Sequence, residues 1–137
     1  MAETDTQSTH EASIRELLEH WASATRLGKQ DDVLVNHAPD VTIFDVLPPL
    51  QYESADAYRQ SWDEWQPTTE GPGIFELHNL KVTASEDVAF AYGLIRCGGT
   101  KPDGKTFEDW VRTTFCLCHV NGNWRITHQH ISMPIVS

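Results

Sequence analysis

Positive charge is scarce in this sequence of 137 residues. Ten lysines and arginines stand against 20 aspartates and glutamates, so the formal net charge at pH 7 is −10. Nucleic acids and anionic membranes attract proteins through basic surface, and this composition therefore predicts neither of them as a partner. Long apolar runs are also missing, since no stretch reaches the length of a membrane span.

Cysteine is limited to three residues, and two of them, Cys116 and Cys118, lie one residue apart in a predicted strand. An odd count at this spacing does not indicate a disulfide framework, and free thiols fit a reducing compartment. The first residues are acidic and polar and lack the apolar segment of a signal peptide. We therefore expect a cytoplasmic protein in which residues 1–7 are disordered and residues 8–137 form one domain.

Apolar residues recur at helical spacing in the first part of the chain. Ser8 and Glu11 form a capping-box pattern and Gly28 is typical of a helix end, which predicts a long amphipathic helix between them. A short second helix should follow and end at Pro39. Ser54 should cap a third helix.

Strands dominate the rest of the sequence. A short β-rich run over residues 41–47 stops at a pair of prolines before the third helix. From Ile74 onwards, β-rich segments alternate with turns, the last of them at Asn121-Gly122. Helices followed by an antiparallel meander predict an α+β fold in which a curved sheet wraps three helices as a cone. Such a cone is expected to hold a ligand pocket.

The order of elements and a closing motif resemble a known superfamily. The motif is Trp110-x-Arg112-x-Thr114, followed by Trp124-Arg-Ile-x-His128-x-His130-x-Ser132-x-Pro134. It is similar to the SnoaL-like (polyketide cyclase and ketosteroid isomerase-like) branch of the nuclear transport factor two superfamily, which has a cystatin-like fold. The final strand also resembles the association domain of calcium/calmodulin-dependent protein kinase. This fold hosts isomerases, dehydratases, cyclases and non-enzymes, so the resemblance implies no single reaction.

Asp45 is the main catalytic candidate. It follows Val41 and Ile43 at a period of two, which predicts that all three face the interior. The resemblance implies a role as base, because an aspartate in the matching place of ketosteroid isomerase removes the proton. The alternative is an aspartate that only holds the turn before the proline pair.

The resemblance also implies two donors for the developing oxyanion, which in the isomerase are a tyrosine and a protonated acid. Trp21 falls in the place of the tyrosine, and the place of the acid falls within one residue of Cys116. An indole N–H can still donate a hydrogen bond, whereas a thiol donates only weakly. This departure makes steroid isomerisation itself a poor match.

Arg112, His128 and His130 form a second candidate set. A one-residue bulge at the Asn-Gly turn would place them on one face with Thr114 opposite His130, whereas a tight two-residue turn would divide them. We favour the bulged register. On one interpretation the set binds a carboxylate or an enolate and a histidine moves the proton. On the other it is a polar network on the outer face of the sheet, at a dimer interface.

Aromatic side chains are expected to complete the pocket. The third helix carries Tyr58, Trp62 and Trp65 at helical spacing, and we expect them to face the sheet. The further residues predicted to contact substrate are Trp21, Trp110, Cys116 and His128. Zinc-ligand types occur in the closing hairpin, but they alternate along strands instead of lying on turns, so we predict no metal site.

These patterns predict a small enzyme that needs no cofactor and performs acid–base chemistry on a hydrophobic carbonyl compound. Asp45 or His130 would be the base, and Arg112 or Trp21 would lie near the developing negative charge. The alternative is a non-catalytic ligand-binding or association domain. In either case we expect a homodimer formed through the outer face of the sheet.

Overall fold

The computed structural model describes residues 2–65 and 73–135, and the side chains of residues 7–61 and 73–135. Its three helices are α1 (Ala2–Leu27), α2 (Gln30–Val33) and α3 (Ala55–Trp65). Its strands are β1 (His37–Phe44), β2 (Ile74–Ala84), β3 (Val88–Thr100), β4 (Thr106–Val120) and β5 (Asn123–Ser132). None of the described helices is long and apolar enough to cross a membrane.

The helix ends agree with the sequence at two of the four predicted signals, and α2 ends at Val33 and not at Pro39 as predicted. Ser54 caps α3, because its Oγ accepts a hydrogen bond of 3.0 Å from the N–H of Ala57. Gly28 follows α1 with a φ of +71°, a conformation that favours glycine. The predicted start at Ser8 is wrong, since α1 begins at Ala2 and includes residues expected to be disordered. The residues before Ser8 include no glycine or proline, so they can continue the helix towards the N-terminus.

The five strands form one curved sheet in the order β1-β5-β4-β3-β2. β1 runs parallel to β5, and all other neighbouring pairs are antiparallel. β1 begins at His37, before the predicted strand start, and Pro39 lies within it. An edge strand tolerates proline because one side of its backbone has no strand to donate to. The fold is therefore the α+β, cystatin-like arrangement that the sequence predicted, with a sheet that does not close.

The sheet has an inner face, covered by the helices, and an outer face. Odd-numbered residues of β4 between Val111 and Leu117 are buried on the inner face, and the even-numbered ones from 110 to 116 point outward. Trp21 of α1 packs edge-on against Phe115 of β4, with 5.0 Å between the ring centroids. This alternation decides which side chains of the closing hairpin can meet a ligand between the sheet and the helices.

The β4–β5 hairpin contains the predicted bulge, but in a different place. Asn121 and Gly122 form a tight turn with φ values of 52° and 82°, which needs no extra residue. The bulge is at Thr127, whose hydroxyl donates to the carbonyl of Cys116 at 3.2 Å. The pairing of Thr114 with His130 is as predicted, whereas Trp124 and Ile126, which precede the bulge, lie on the inner face instead of the outer one.

Candidate functional site

Asp45 lies just after β1 on the inner face, and both of its carboxylate oxygens accept hydrogen bonds. The Tyr58 hydroxyl donates to Oδ2 at 3.1 Å, and the N–H of Val46 donates to Oδ1 at 2.7 Å. The first bond joins the end of β1 to α3, and the second holds the turn before the prolines. The bond to Val46 agrees with the interpretation of Asp45 as a residue that holds the turn, and its role as a base stays a prediction.

Tyr58 is 4% exposed and supplies the donor beside Asp45. Burial, followed by the charge of Asp45 and the hydrogen bond to it, raises the pKa of Tyr58 well above the ordinary value of 10.0. The Tyr52 ring packs edge-on against it, with the centroids 5.1 Å apart. Tyr58 therefore stays protonated at neutral pH and keeps donating to the carboxylate.

Thr113 is a polar residue of the inner face that sequence analysis missed. It is 2% exposed, and its Oγ1 has no hydrogen-bond partner within the described part of the chain. Thr113 of β4 pairs with Ile131 of β5. Phe44 of β1 pairs with His130 of β5, and these two strands are parallel, so the next residues, Asp45 and Ile131, lie level with each other. Two strand spacings therefore separate Thr113 from Asp45, roughly 10 Å between Cα atoms. The closing motif contains only even-numbered residues of β4, so it does not point to Thr113. The strand pairing shows that Thr113 faces inward.

The two predicted oxyanion donors do not stand together. Trp21 is buried and packs against Phe75 and Phe115, as a wall of the core. Cys116 lies on the outer face, and the inward residue beside it, Phe115, carries no donor. The predicted contact of Cys116 with an interior ligand is therefore wrong, because adjacent strand residues point to opposite faces.

Arg112, His128 and His130 lie together on the outer face, away from Asp45. The Phe44 ring contacts both imidazoles, at 4.8 Å from His128 and 5.3 Å from His130. The His128 ring is fixed by a 2.8 Å hydrogen bond between its Nδ1 and the Thr42 carbonyl. The sheet separates these residues from Asp45 within one chain. The expectation that His130 and Arg112 share a site with Asp45 is wrong for this reason.

Trp110 also lies on the outer face and is 46% exposed, so it does not line the interior as predicted. Its ring lies 5.0 Å from that of His78. Beside them, Arg96 donates to Glu108 at 2.7 Å and 3.2 Å and to Glu76 at 3.1 Å. These carboxylates face water, so the network is a surface feature.

Two predicted pocket residues stay predictions. Trp62 and Trp65 belong to α3, but their side chains lie outside the described residues. Among the zinc-ligand types of the closing hairpin, Cys116 pairs with His128, and the described residues contain no group of three or more side chains that could hold a metal ion.

Comparison with known proteins gives the family. A family model described as a SnoaL-like domain matches residues 14–136. An NTF2-like protein of unknown function from Pseudomonas putida KT2440 is 32% identical with a TM-score of 0.84, over 94% of this chain and 89% of that one. No protein of curated function matches the chain.

Two further solved structures share the fold at lower identity. A proposed scytalone dehydratase from Novosphingobium aromaticivorans DSM 12444 has a TM-score of 0.84 at 12% identity, over 96% of this chain and 89% of that one. A ketosteroid isomerase-like protein from Erwinia carotovora has a TM-score of 0.76 at 16% identity, over 92% and 97% of the two chains. Since the family model matches almost the whole sequence, this chain belongs to the family of SnoaL-like domains.

Proposed function

We propose that this protein catalyses a proton transfer in a small hydrophobic carbonyl compound, with Asp45 as the base. The observation that carries the proposal is the hydrogen bond between the Tyr58 hydroxyl and the Asp45 carboxylate. It holds a carboxylate on the concave face of a fold whose relatives include proteins described as isomerase-like and dehydratase-like.

The proposed reaction starts with removal of a proton from the carbon next to the carbonyl group. Asp45 takes the proton, and the electron pair moves onto the carbonyl oxygen as an enolate. Each carboxylate oxygen has two lone pairs, so the bonds from Tyr58 and Val46 leave room for the proton. The enolate then collapses in one of two ways: it takes the proton back from Asp45 at another carbon of a conjugated system, or it expels a β-hydroxyl group, which leaves as water with the proton that Asp45 carries.

Thr113 is the proposed donor to the enolate oxygen. Its buried hydroxyl has no partner within the described residues, which costs about 1–3 kcal/mol for a group of this kind. A carbonyl oxygen beside it would accept the hydrogen bond and recover that cost. Thr113 and Asp45 lie on the same face of the sheet, roughly 10 Å apart between Cα atoms and on either side of Ile131, so a small ketone lying over Ile131 could reach both.

The test is exchange of the α-protons of 2-tetralone for deuterium in heavy water, followed by NMR. Asp45→Asn keeps the shape and removes the base, so we expect exchange to fall by about 100-fold or more. Thr113→Val should slow exchange without lowering the melting temperature, because it removes a hydroxyl that has no partner among the residues that the structure describes. Asp40→Asn, at an exposed aspartate of β1, is the matched control and should exchange like the wild type.

Exchange that persists in Asp45→Asn, or wild-type protein that does not exceed the buffer rate, would overturn the catalytic proposal. The second result, with retained binding of 2-tetralone, would favour a non-catalytic ligand-binding domain. One observation supports that second candidate: both oxygens of Asp45 already have partners within the chain.

We also propose that the outer face binds a second copy of the chain. Its exposed aromatic residues, Phe90, Tyr92 and Trp110, are 45–47% exposed and lie on adjacent strands. The Phe90 and Tyr92 rings stack with 6.5 Å between their centroids, and exposed apolar surface of this kind is typical of an interaction site. The cysteines form no disulfide, which is consistent with the cytoplasmic location that we propose.

A further inference from the structure

A cavity lies at the opposite end of the hairpin from Asp45. It has a volume of about 390 Å³ and lies between the N-terminal half of α1 and the β4–β5 turn. Its lining includes His10, Ser13, Leu17, Asn36, His119 and Trp124. Trp124 is the second residue of β5 and Asp45 lies level with Ile131 near the end of that strand, so roughly 20 Å separates the two places. The proposed reaction therefore makes no use of this cavity.

Two imidazoles and an indole form a connected cluster in this cavity. The indole N–H of Trp124 lies 3.2 Å from Nδ1 of His10 and donates to it. Nδ1 of His119 lies 3.2 Å from the backbone carbonyl of Glu86 and is the donor of that bond. The His119 ring stacks on the Trp124 ring, with centroids 4.8 Å apart. The His10 ring packs edge-on against the His119 ring, with centroids 4.9 Å apart.

These bonds decide where the ring protons are. Since Nδ1 of His10 accepts, a neutral His10 carries its proton on Nε2 and can donate from there. Since Nδ1 of His119 donates, a neutral His119 has a free lone pair on Nε2. Neither Nε2 has a hydrogen-bond partner among the residues that the structure describes. The cavity therefore offers one N–H donor and one site that can take up a proton.

A metal ion fits this arrangement poorly. Ligation through Nε2 of His10 would put a proton on its Nδ1, where it would meet the N–H of Trp124. An acid fits better, because proton uptake by His119 gives a second N–H and a positive charge. A carboxylate can then accept from both rings, and Leu17 and Trp124 can contact an apolar body.

No carboxylate side chain is among the described residues that line the cavity. The two histidines are the only titratable side chains among the lining residues of this cavity. Glu86 and Asp87 meet His119 through their backbone carbonyls. On α1, Glu11 accepts a hydrogen bond from Gln7. On β5, Arg125 donates to the carbonyl of Val35 at 2.9 Å.

We propose that this cavity binds a small organic carboxylic acid as its carboxylate, and that His119 takes up a proton when the ligand binds. The volume lies in the range of small-molecule sites, about 300–1,000 Å³, and suits a molecule the size of benzoate. Because binding takes up a proton, the affinity falls as the pH rises.

Benzoate is the probe, and titration calorimetry measures its affinity. We expect binding at about pH 6 to be about tenfold tighter than at about pH 8.5. Buffers of different ionisation enthalpy should report uptake of a proton, and NMR should show a shift of the Trp124 indole N–H. His119→Gln should bind at least about tenfold more weakly, whereas His20→Gln, at an exposed histidine of α1, should bind as the wild type.

Ser13→Trp keeps both histidines and fills the cavity from an exposed helix position, so it should abolish binding even if His119→Gln fails to fold. Affinity that does not change with pH, or that survives in Ser13→Trp, would overturn the proposal. Equal affinity for inorganic phosphate would also overturn it, because phosphate lacks the apolar body. Asp45→Asn should leave benzoate binding unchanged, which separates this site from the proposed reaction.

Discussion

At the scale of single residues, the inner face contains few polar side chains, and each has a definable role. Asp45 and Tyr58 are joined by a hydrogen bond, and His37 is hydrogen-bonded to Gln129. The hydroxyl of Thr113 has no hydrogen-bond partner among the described residues. Asp45 could be placed on this face from the sequence, since the period-two pattern of β1 reaches it. The partner on α3 could not, because the contact depends on how a helix packs against a strand.

His37 should make stability depend on pH. Its Nε2 lies 2.8 Å from Oε1 of Gln129, and its Nδ1 has no hydrogen-bond partner in the described part of the chain. Burial lowers the pKa of His37 below 6.5, with the bond to Gln129 acting weakly in the opposite direction. The unfolded chain therefore binds a proton at a higher pH than the folded one. The contribution of neutral His37 to the free energy of unfolding should be complete above pH 6.5 and should decrease as the pH falls below that value.

Urea denaturation at about pH 7 and about pH 5 measures this effect. His37→Gln removes the titrating group, keeps an N–H donor and should lose less stability over that interval. His20→Gln, at an exposed histidine, should lose as much as the wild type. Equal losses in all three proteins would show that His37 does not cause the pH dependence.

At the scale of elements, most boundaries follow from local chemistry. Ser54 caps α3, Gly28 ends α1 and Asn121-Gly122 turns the last hairpin, and each of these works through its own backbone or side chain. The start of α1 differs from the prediction because Ser8 can sit inside a helix as well as at its cap. The bulge at Thr127 differs because nothing in its immediate sequence requires an extra residue there.

Gly122 should stabilise the hairpin through its backbone conformation alone. Its φ is +82°, and a Cβ added there would meet no atom within 4 Å. Gly122→Ala should therefore lower the free energy of unfolding by about 1 kcal/mol, as measured by urea denaturation. Gly122→Asn should cost less, since asparagine tolerates a positive φ. A loss in Gly122→Asn as large as in Gly122→Ala would contradict this explanation.

At the scale of the whole molecule, the sheet divides the chemistry of the chain into two faces. The inner face carries Asp45 and Tyr58, and the outer face carries Arg112, His128 and His130 beside exposed aromatic rings. The outer position agrees with the second interpretation of these residues, but no hydrogen bond joins the three side chains in the described part of the chain, so the network and the dimer interface stay predictions. In the proposed dimer these residues would be buried between two chains.

Tyr92→Lys should weaken that dimer. The ring lies on β3 within the exposed aromatic surface, and a buried ammonium group without a partner would oppose association. Light scattering after size-exclusion chromatography should show a shift from dimer to monomer, with an unchanged circular dichroism spectrum. The Gln60→Lys variant carries the same added charge at an exposed position of α3, and it should stay dimeric. Wild-type protein that is already monomeric would refute the proposed interface.

The sequence by itself determined the order of helices and strands, the two helix signals at Gly28 and Ser54, the hairpin turn and the family. These depend on propensity, periodicity and turn chemistry, which act over a few neighbouring residues. Only the tertiary structure decided that Arg112 and His130 face away from Asp45 and that Thr113 faces towards it. The reason is the period of two along a strand. One extra residue at Thr127 reverses every side chain that follows, and the position of that residue is set by the pairing of β4 with β5.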